Sequence, residues 1–286
     1  MWEDGLNPTV LRDLAANWLK EDAPNFDYGG FVVGNRPVSA VILAKEDGVL
    51  AGIPFAKAIL KEADCSVKWK CEEGEDVKAP ATVGVVRGRA ADLLRAERVM
   101  LNCLSRASGV ATVTRRMKRR LDETGWKGIL AATRKSTPSF RLVEKYSVSV
   151  GGGCGHRYDL SSMVMLKDNH VDLVGSVRKA VENAKKFAGF CYKVEVECRS
   201  LEEAEEAAAA GCDILMLDNF SPRECGETAT KIKELCPRVN IEASGGITEE
   251  NITDYAHPSV DVISCSRLIQ GYKTIDFSMK IDKSSL

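Results

Sequence analysis

Apolar residues along this chain follow two rhythms, and the change comes near residue 110. Before it, short runs such as "VILAKEDGVLAG" and "CSVKWKCEEG" are punctuated by glycine and charge, the texture of strands and hairpins. Residues 91–125 then read as one helix. Leu94, Leu101, Leu104, Val110, Val113, Met117 and Leu121 recur there at three-to-four-residue spacing or its multiples. Gly109 either interrupts that helix or marks the close approach of another segment. Beyond residue 126, apolar runs end abruptly in polar residues: "GILAATRK" (128–135), "SMVMLKDN" (162–169), "YKVEVE" (192–197), "DILMLDN" (213–219), "VNIEASGG" (239–246) and "VDVISCS" (260–266).

Helical patterns lie between most of these runs. "SLEEAEEAAAAG" (200–211) opens on a Ser–x–x–Glu capping box and closes on glycine, and "SVRKAVENAKKF" and "ECGETATKIKEL" are amphipathic. Alternating strands and helices predict a parallel sheet with helices outside. The polar residues cluster at the C-terminal ends of the runs, the end where βα loops converge on an active site. Six units between residues 128 and 266 fall short of the roughly 250 residues of an eightfold barrel. The expected fold class is therefore α/β, a small or incomplete barrel with an N-terminal α+β domain.

Composition adds exclusions. The 286 residues are 44% hydrophobic and 28% charged, an ordinary globular balance. A net charge of −1 gives no global argument for nucleic acid or a membrane surface as partner. "RRMKRR" (115–120) packs five cations into six residues and reads as a solvated helix face. The start, "MWEDGLNPTV", lacks the cationic and apolar regions of a secretory signal. No apolar run approaches the roughly 18 residues of a spanning helix, so a cytoplasmic protein is expected. Ten cysteines without a C-x-x-C pair, beside three histidines, provide no evident zinc set and read as reduced, mostly buried side chains.

The strand ends collect candidate chemistry. In order they offer Thr133, Arg134 and Lys135; Lys167 and Asp168; Glu197; Asp218; Ser244, Gly245 and Gly246; and Ser264 to Ser266, with His156 and Arg157 after "GGGCG". Arg134, Lys135, Arg157 and Lys167 would hold an acidic substrate, the arginines by bidentate pairing. Glu197 and Asp218 could hold Mg²⁺, which favours one or two carboxylates plus substrate phosphates. "ASGG" lets backbone N–H groups approach a phosphate. Each motif also has a plainer reading. Arg134–Lys135 could be a solvated loop, Lys167–Asp168 a strand-end ion pair, and His156 structural. Glu195 and Glu197 alternate with Val194 and Val196 and could simply form a polar strand face.

Taken together, "ERVMLNCLSRASGVAT", "TRKSTPSFRLVEKY", "HRYDLSSMVMLKDNH", "KVEVEC", "MLDNF" and "EASGGI" closely resemble the quinolinate phosphoribosyltransferases, the carboxylating nicotinate-nucleotide pyrophosphorylases. The resemblance implies conversion of quinolinate and phosphoribosyl pyrophosphate to nicotinate mononucleotide, pyrophosphate and carbon dioxide, with Mg²⁺, in NAD biosynthesis. It implies an N-terminal α/β sandwich domain over residues 1–110, with 270–286 packing back on it, and an open α/β barrel over 111–269. It also implies a homodimer or larger assembly with shared active sites. By this resemblance Arg134, His156 and Arg157 bind the quinolinate carboxylates. Lys135 and Lys167 lie between quinolinate and the phosphoribosyl group, with Thr133 and Ser136 flanking. Arg98 reaches across the dimer interface. Glu197 and Asp218 face the ribose hydroxyls and Mg²⁺–pyrophosphate, and Ser244, Gly245 and Gly246 form the 5′-phosphate turn. One departure is Ser266, followed by Arg267, where many members carry glycine in a second phosphate turn.

Three rivals remain at this level. A nicotinate phosphoribosyltransferase would share the fold but not the decarboxylation. A Schiff-base aldolase would use Lys135 or Lys167. A non-catalytic binder of acidic ligands or nucleic acid would draw on the basic face at 115–120.

Overall fold

The change of rhythm near residue 110 separates two sheets of opposite character. The computed structural model describes residues 3–271 and 273–285. In chain order its elements are α1 (Pro8–Asp22), α2 (Tyr28–Val33), β1 (Pro37–Ala44), β2 (Gly48–Val49), α3 (Ile53–Glu62), β3 (Ser66–Trp69), β4 (Asp76–Val77), β5 (Ala81–Arg89), α4 (Ala90–Glu123), β6 (Ile129–Ala131), α5 (Arg141–Val150), β7 (Val164–Leu166), α6 (Asp168–Val174), α7 (Val177–Ala188), β8 (Val194–Cys198), α8 (Leu201–Ala209), β9 (Ile214–Asp218), α9 (Pro222–Leu235), β10 (Asn240–Ser244), β11 (Val262–Ser264) and β12 (Phe277–Ile281).

The first unit takes residues 1–115, 137–151 and 271–286; the second takes 116–136 and 152–270. The sequence reading drew its boundary at 110 and placed 137–151 within the barrel. Val143, Tyr146 and Val150 of α5 instead join the core of the first unit, which is why that stretch groups there. Residues 1 and 2 of the expected N-terminal domain, and 272 and 286 of the expected C-terminal return, lie outside the described residues.

In the first unit an antiparallel sheet runs in the order β12-β1-β5-β3. Along β1, Val38, Ala40, Ile42 and Ala44 alternate into the core, the period-two pattern of a sheet with one covered face. Phe55, Ile59 and Leu60 of α3 and Leu93, Met100 and Leu104 of α4 complete that core. Helix α4 runs unbroken through Gly109. A Cβ at Gly109 would stand 2.1 Å from the Lys273 carbonyl oxygen. Of the two readings of this glycine, close approach is the one the structure supports.

One ion pair is buried in this unit. Arg106 of α4 donates to Glu144 Oε1 of α5 at 2.7 Å, and the side chains are 5% and 0% exposed. Glu144 also accepts from the amide and hydroxyl of Thr137, each at 2.8 Å. The carboxylate is thus well satisfied, and removing its cation would leave a buried charge uncompensated.

The second unit holds a six-stranded, all-parallel sheet in the order β6-β11-β10-β9-β8-β7. Each predicted apolar run after residue 126 contains one of its strands. The order closes round like a barrel but leaves β6 and β7 unpaired with each other, so this is an open α/β barrel. Beside β6, Cys154 forms a parallel bridge with Ala131, its amide donating to the Leu130 carbonyl and its carbonyl accepting from Ala132, both at 2.8 Å. Alternate strand residues point outward and are sealed: Leu130, Val196, Leu215, Ile241 and Ile263 are fully buried. The expected capping box on α8 half forms. Ser200 accepts from the Glu203 amide, but the Glu203 carboxylate takes the amide of Arg199 rather than that of Ser200.

The basic run on α4 is largely spent on local partners. Arg115 donates to the carbonyls of Gly74, Val150 and Gly151. Arg116 pairs with Glu249, Lys118 pairs with Asp122, and Arg120 donates to the Glu250 carbonyl. No helix among the described residues is long and apolar enough to cross a membrane.

All ten cysteines are free thiols. Burial pushes Cys65 and Cys225 up to about 11 and Cys212 to about 12, and raises Cys103 and Cys198 further. Cys154 and Cys191 are exposed. Because the thiolate is the reactive form, a colorimetric thiol titration of the folded protein at neutral pH should show these two as the fast class; rapid labelling of Cys198 or Cys212 instead would contradict the packing. Arg106→Leu should lower stability by about 3–5 kcal/mol, read from the urea midpoint, while a loss under about 1 kcal/mol would show that Glu144 does not depend on its arginine.

Candidate active site

Because the strands of the second unit are parallel, their C-terminal ends meet at one rim, and the loops leaving them supply the polar side chains. After β6 the chain turns at once. Thr133 Oγ1 accepts the Lys135 amide at 3.1 Å and the Arg134 carbonyl accepts the Ser136 amide at 2.9 Å. After the Cys154 bridge come His156 and Arg157. The loop beyond them is held by Asp159, which accepts from the Ser161 amide and hydroxyl and the Ser162 hydroxyl. Those hydroxyl donors bring the Asp159 carboxyl down to about 2. After β7, Lys167 enters α6, its amide donating to His170 Nδ1 at 3.0 Å.

These ends enclose a cavity of about 600 Å³. Thr133, Arg134, Lys135, His156, Arg157, Lys167, Glu197, Asp218, Ser244, Gly245, Gly246 and Ser266 all line it. Three candidates do not. Asp168 opens α6 and accepts the Asn169 amide. Ser136 spends its amide and hydroxyl on the Arg134 carbonyl. Arg98 lines a separate hollow of about 390 Å³ in the first unit, beside Trp18 and Asp22.

Strand register sorts the inward residues into layers. Asp218 and Ser244 are partners at the top. Glu197 and Glu242 each pair with Met216 in the layer below. Glu195 pairs with Ile214 one layer deeper. The upper layers are cationic on one side and anionic on the other. Lys167 is ion-paired with Glu197. Burial, and then Glu197, raises the Asp218 carboxyl, while Lys167 and Lys135 lower it. Burial, and then Arg134, lowers Arg157. The Arg134 Nε–H is buried without a hydrogen-bond partner, a donor awaiting an acceptor.

The floor holds Glu195, whose alternation with valine marks a polar strand face, and Glu242, which the strand-end positions do not single out. Glu195 and Glu242 are 0% and 2% exposed, and both oxygens of Glu195 and one of Glu242 have no hydrogen-bond partner. Burial, then Glu242, pushes Glu195 well above the ordinary carboxylate range. His156 Nε2 lies 3.1 Å from Glu242 Oε2 and 3.8 Å from Glu195 Oε2. The donor atoms of these three residues fall within 4.8 Å of one another, so they too are a set able to hold a cation. Alternation in "NIEAS" was the available signal for Glu242: Ile241 and Ala243 point out, leaving the glutamate inward.

Comparison with known proteins decides the family. The model for the quinolinate phosphoribosyl transferase C-terminal domain matches residues 110–280, and the model for the N-terminal domain matches residues 13–108. The chain is 48% identical to the nicotinate-nucleotide pyrophosphorylase [carboxylating] of Rattus norvegicus over 276 residues, covering 96% of this chain and 92% of the relative. It is equally similar to the Homo sapiens protein of that name, with 96% and 93% covered. The chain belongs to the quinolinate phosphoribosyltransferase family. The solved nicotinate-nucleotide pyrophosphorylase of Francisella tularensis matches it with a TM-score of 0.90 at 32% identity, covering 98% of this chain and 99% of that one. The human nicotinic acid phosphoribosyltransferase, at 14% identity and a TM-score of 0.62, shares the fold alone.

Within this member of the quinolinate phosphoribosyltransferase family, the glycine turn after β10 is open towards the cavity. Gly245 and Gly246 have φ of +88° and +63°. A Cβ at Gly245 would meet Asn219 Oδ1 at 2.4 Å, whereas nothing lies within 4 Å of one at Gly246. Ser266 and Arg267 line the same cavity, so the departure from the family's glycine puts a hydroxyl and a guanidinium near that turn. For a cation such as Mg²⁺, the crowding of Asp218 by Glu197 is the supporting feature, since like charges at close quarters favour a counter-ion.

Gly245→Ala should raise the Kd for ribose 5-phosphate about tenfold or more, because the left-handed backbone is strained for alanine and Asn219 blocks its Cβ. Calorimetric titration reads the change, and unaltered binding would remove the turn from the phosphate site.

Proposed function

We propose that this chain catalyses the carboxylating quinolinate phosphoribosyltransferase reaction, joining quinolinate to phosphoribosyl pyrophosphate and releasing pyrophosphate and carbon dioxide on the way to nicotinate mononucleotide. One observation carries the reading at the level of residues. Arg134, Lys135, Arg157 and Lys167 line one cavity with Glu197, Asp218 and the open glycine turn, in a chain that the family's two domain models match over residues 13–108 and 110–280.

The chemistry follows from placing a pyridine diacid among the cations. Arg134, with its unpartnered Nε–H, and Arg157 would take the two carboxylates. Lys135 and Lys167 would sit between the ring and the phosphoribosyl group, and Ser244, Gly245, Gly246 and Ser266 would take the 5′-phosphate. As the anomeric carbon–oxygen bond breaks, positive charge builds on the ribose ring, and Glu197 and Asp218 would stabilise it. The ring nitrogen donates its lone pair to the anomeric carbon. The pyridinium nitrogen then accepts the electrons of the breaking C2–carboxylate bond, carbon dioxide leaves, and C2 takes up a proton. Mg²⁺, held by Glu197 and Asp218 mainly through substrate oxygens and water, would offset charge on the leaving pyrophosphate. The protein's part is positioning and electrostatics, with no covalent nucleophile.

Two further elements of the reading come from the family resemblance. The working unit is a homodimer or larger assembly, with Arg98 reaching the neighbouring subunit's cavity. The setting is the cytosol, in keeping with ten free thiols.

Incubation with quinolinate, phosphoribosyl pyrophosphate and Mg²⁺ should yield nucleotide and carbon dioxide in equal amounts. Arg134→Ala and Lys135→Ala should each lower kcat/KM by about a hundredfold or more while circular dichroism stays unchanged. Near-normal turnover in either variant would overturn the pocket assignment, and a borohydride-trapped adduct on Lys135 or Lys167 would move the chemistry to a Schiff base. Mixing Arg98→Ala with Lys135→Ala subunits should restore part of the activity; no recovery would count against shared sites.

A further inference from the structure

We infer that Glu242 is a positioning residue for the diacid end of the cavity, acting on Arg157 through the imidazole of His156. The inference deepens the reading above and rests on its assignment of Arg157 to a substrate carboxylate.

The connection is a short chain of hydrogen bonds. The Arg157 amide donates to His156 Nδ1 at 2.7 Å. Nδ1 is therefore an acceptor, and the ring hydrogen lies on Nε2. Nε2 in turn donates to Glu242 Oε2 at 3.1 Å. Both nitrogens of this ring are thus occupied inside the protein. In this geometry His156 has no ring donor left for a ligand carboxylate, although the family resemblance gives it that role. What it does instead is tie the backbone of residue 157 to strand β10.

The backbone at this point needs such a tie. His156 has φ of +58°, the left-handed region that non-glycine residues adopt only when their surroundings enforce it. The preceding segment, "GGGCG", is tied to β6 as far as Cys154 by backbone hydrogen bonds. Glu242 sits on β10, whose pairing with β9 and β11 makes it a rigid anchor. The carboxylate is 2% exposed and Oε1 has no partner. A buried carboxylate beneath a cavity for an acidic ligand is costly on both counts, unless holding His156 repays that cost. The Arg157 guanidinium feels both carboxylates of the floor as well as Arg134, and its Nη1 donates to the Met163 carbonyl at 3.5 Å.

The test compares Glu242→Leu, Glu242→Gln, His156→Asn, the double variant Glu242→Leu/His156→Asn, and Arg157→Ala, each by steady-state kinetics with the two substrates varied separately. Asparagine tolerates the left-handed backbone but lacks the two-ended ring. Glu242→Leu should raise the quinolinate KM about tenfold or more and leave that for phosphoribosyl pyrophosphate within about twofold. Glu242→Gln, whose amide oxygen can accept the same Nε2–H, should restore most of the loss. The double variant should be no worse than the poorer single one, because both break the same link. Equal rises in both KM values, a glutamine variant as poor as leucine, or additive losses would each overturn the inference. If Glu242→Leu does not fold, Glu242→Gln and the ¹⁵N spectrum of the histidine ring decide, and a hydrogen on His156 Nδ1 in the native protein would overturn it. Arg157→Ala separates the two levels. If it leaves the quinolinate KM unchanged, the underlying assignment fails and takes the inference with it. A strong Arg157 effect beside a silent Glu242→Leu sinks the inference alone.

Discussion

Gathering cations into one half-buried cavity is opposed by their mutual repulsion and by the loss of water around each. The second unit of this protein is arranged around that constraint. Arg157 shows it directly, its charge disfavoured first by burial and then by Arg134. The answer is a counter-set of carboxylates delivered on strands rather than loops. Glu197, Asp218, Glu195 and Glu242 come from β8, β9 and β10, whose ladder bonds fix their heights. The cations ride mostly on the connecting segments. An anionic set carried on strands beside cations carried on loops leaves room for an acidic ligand to complete the charge balance.

The same parallel order determines which loops meet. Strand order β6-β11-β10-β9-β8-β7 leaves the first and second strands without a shared ladder, and the bridge at Cys154 lies in that opening. The segment that follows it carries His156 and Arg157 to the end of β6, where Arg134 and Lys135 emerge. An eighth or seventh strand inserted there would separate the two arginines. The openness of the barrel is thus part of how the arginine-lined end of the cavity is assembled. Glycine fills the complementary role at the turn after β10, where Gly246 leaves room that any side chain would take.

Much of this was legible in the residue pattern, and what was not has identifiable causes. The six strands of the barrel announce themselves because each is an apolar run cut off by polar residues, and its parallel order follows from the helices between. Strand-end positions led to the cavity for the same reason. The segment 137–151 was harder to place. Its apolar spacing says that α5 is amphipathic but not which core receives its face, and Val143 and Tyr146 pack on the first unit. Gly109 could signal a break or a contact, and only the Lys273 carbonyl at its Cβ position distinguishes them. Glu242 was hidden by its neighbours: in "EASGG" the glycines and the serine draw the eye to phosphate, while the glutamate two residues earlier faces the same interior. The basic run at 115–120 reads as a solvated face, and counting charges could not show the carboxylates and carbonyls that the fold brings to Arg115, Arg116 and Arg120.

The two carboxylate pairs are set apart by burial rather than by height, since Glu197 and Glu242 share a layer. Glu197 and Asp218 are the pair on which Lys167 and Lys135 act, so in the proposed reaction their charge would face a ribose ring that becomes cationic. Glu195 and Glu242 are one strand repeat apart and sealed from water, where an unpaired charge is costly. A deep carboxylate is useful there as a fixed point of attachment. In the positioning proposed above, Glu242 puts a costly buried carboxylate to use by holding His156, and through it the amide of Arg157. In the proposed reaction that link would serve selectivity for a second carboxylate on the pyridine ring, and Glu197 and Asp218 would supply the stabilisation that lets the glycosidic bond form.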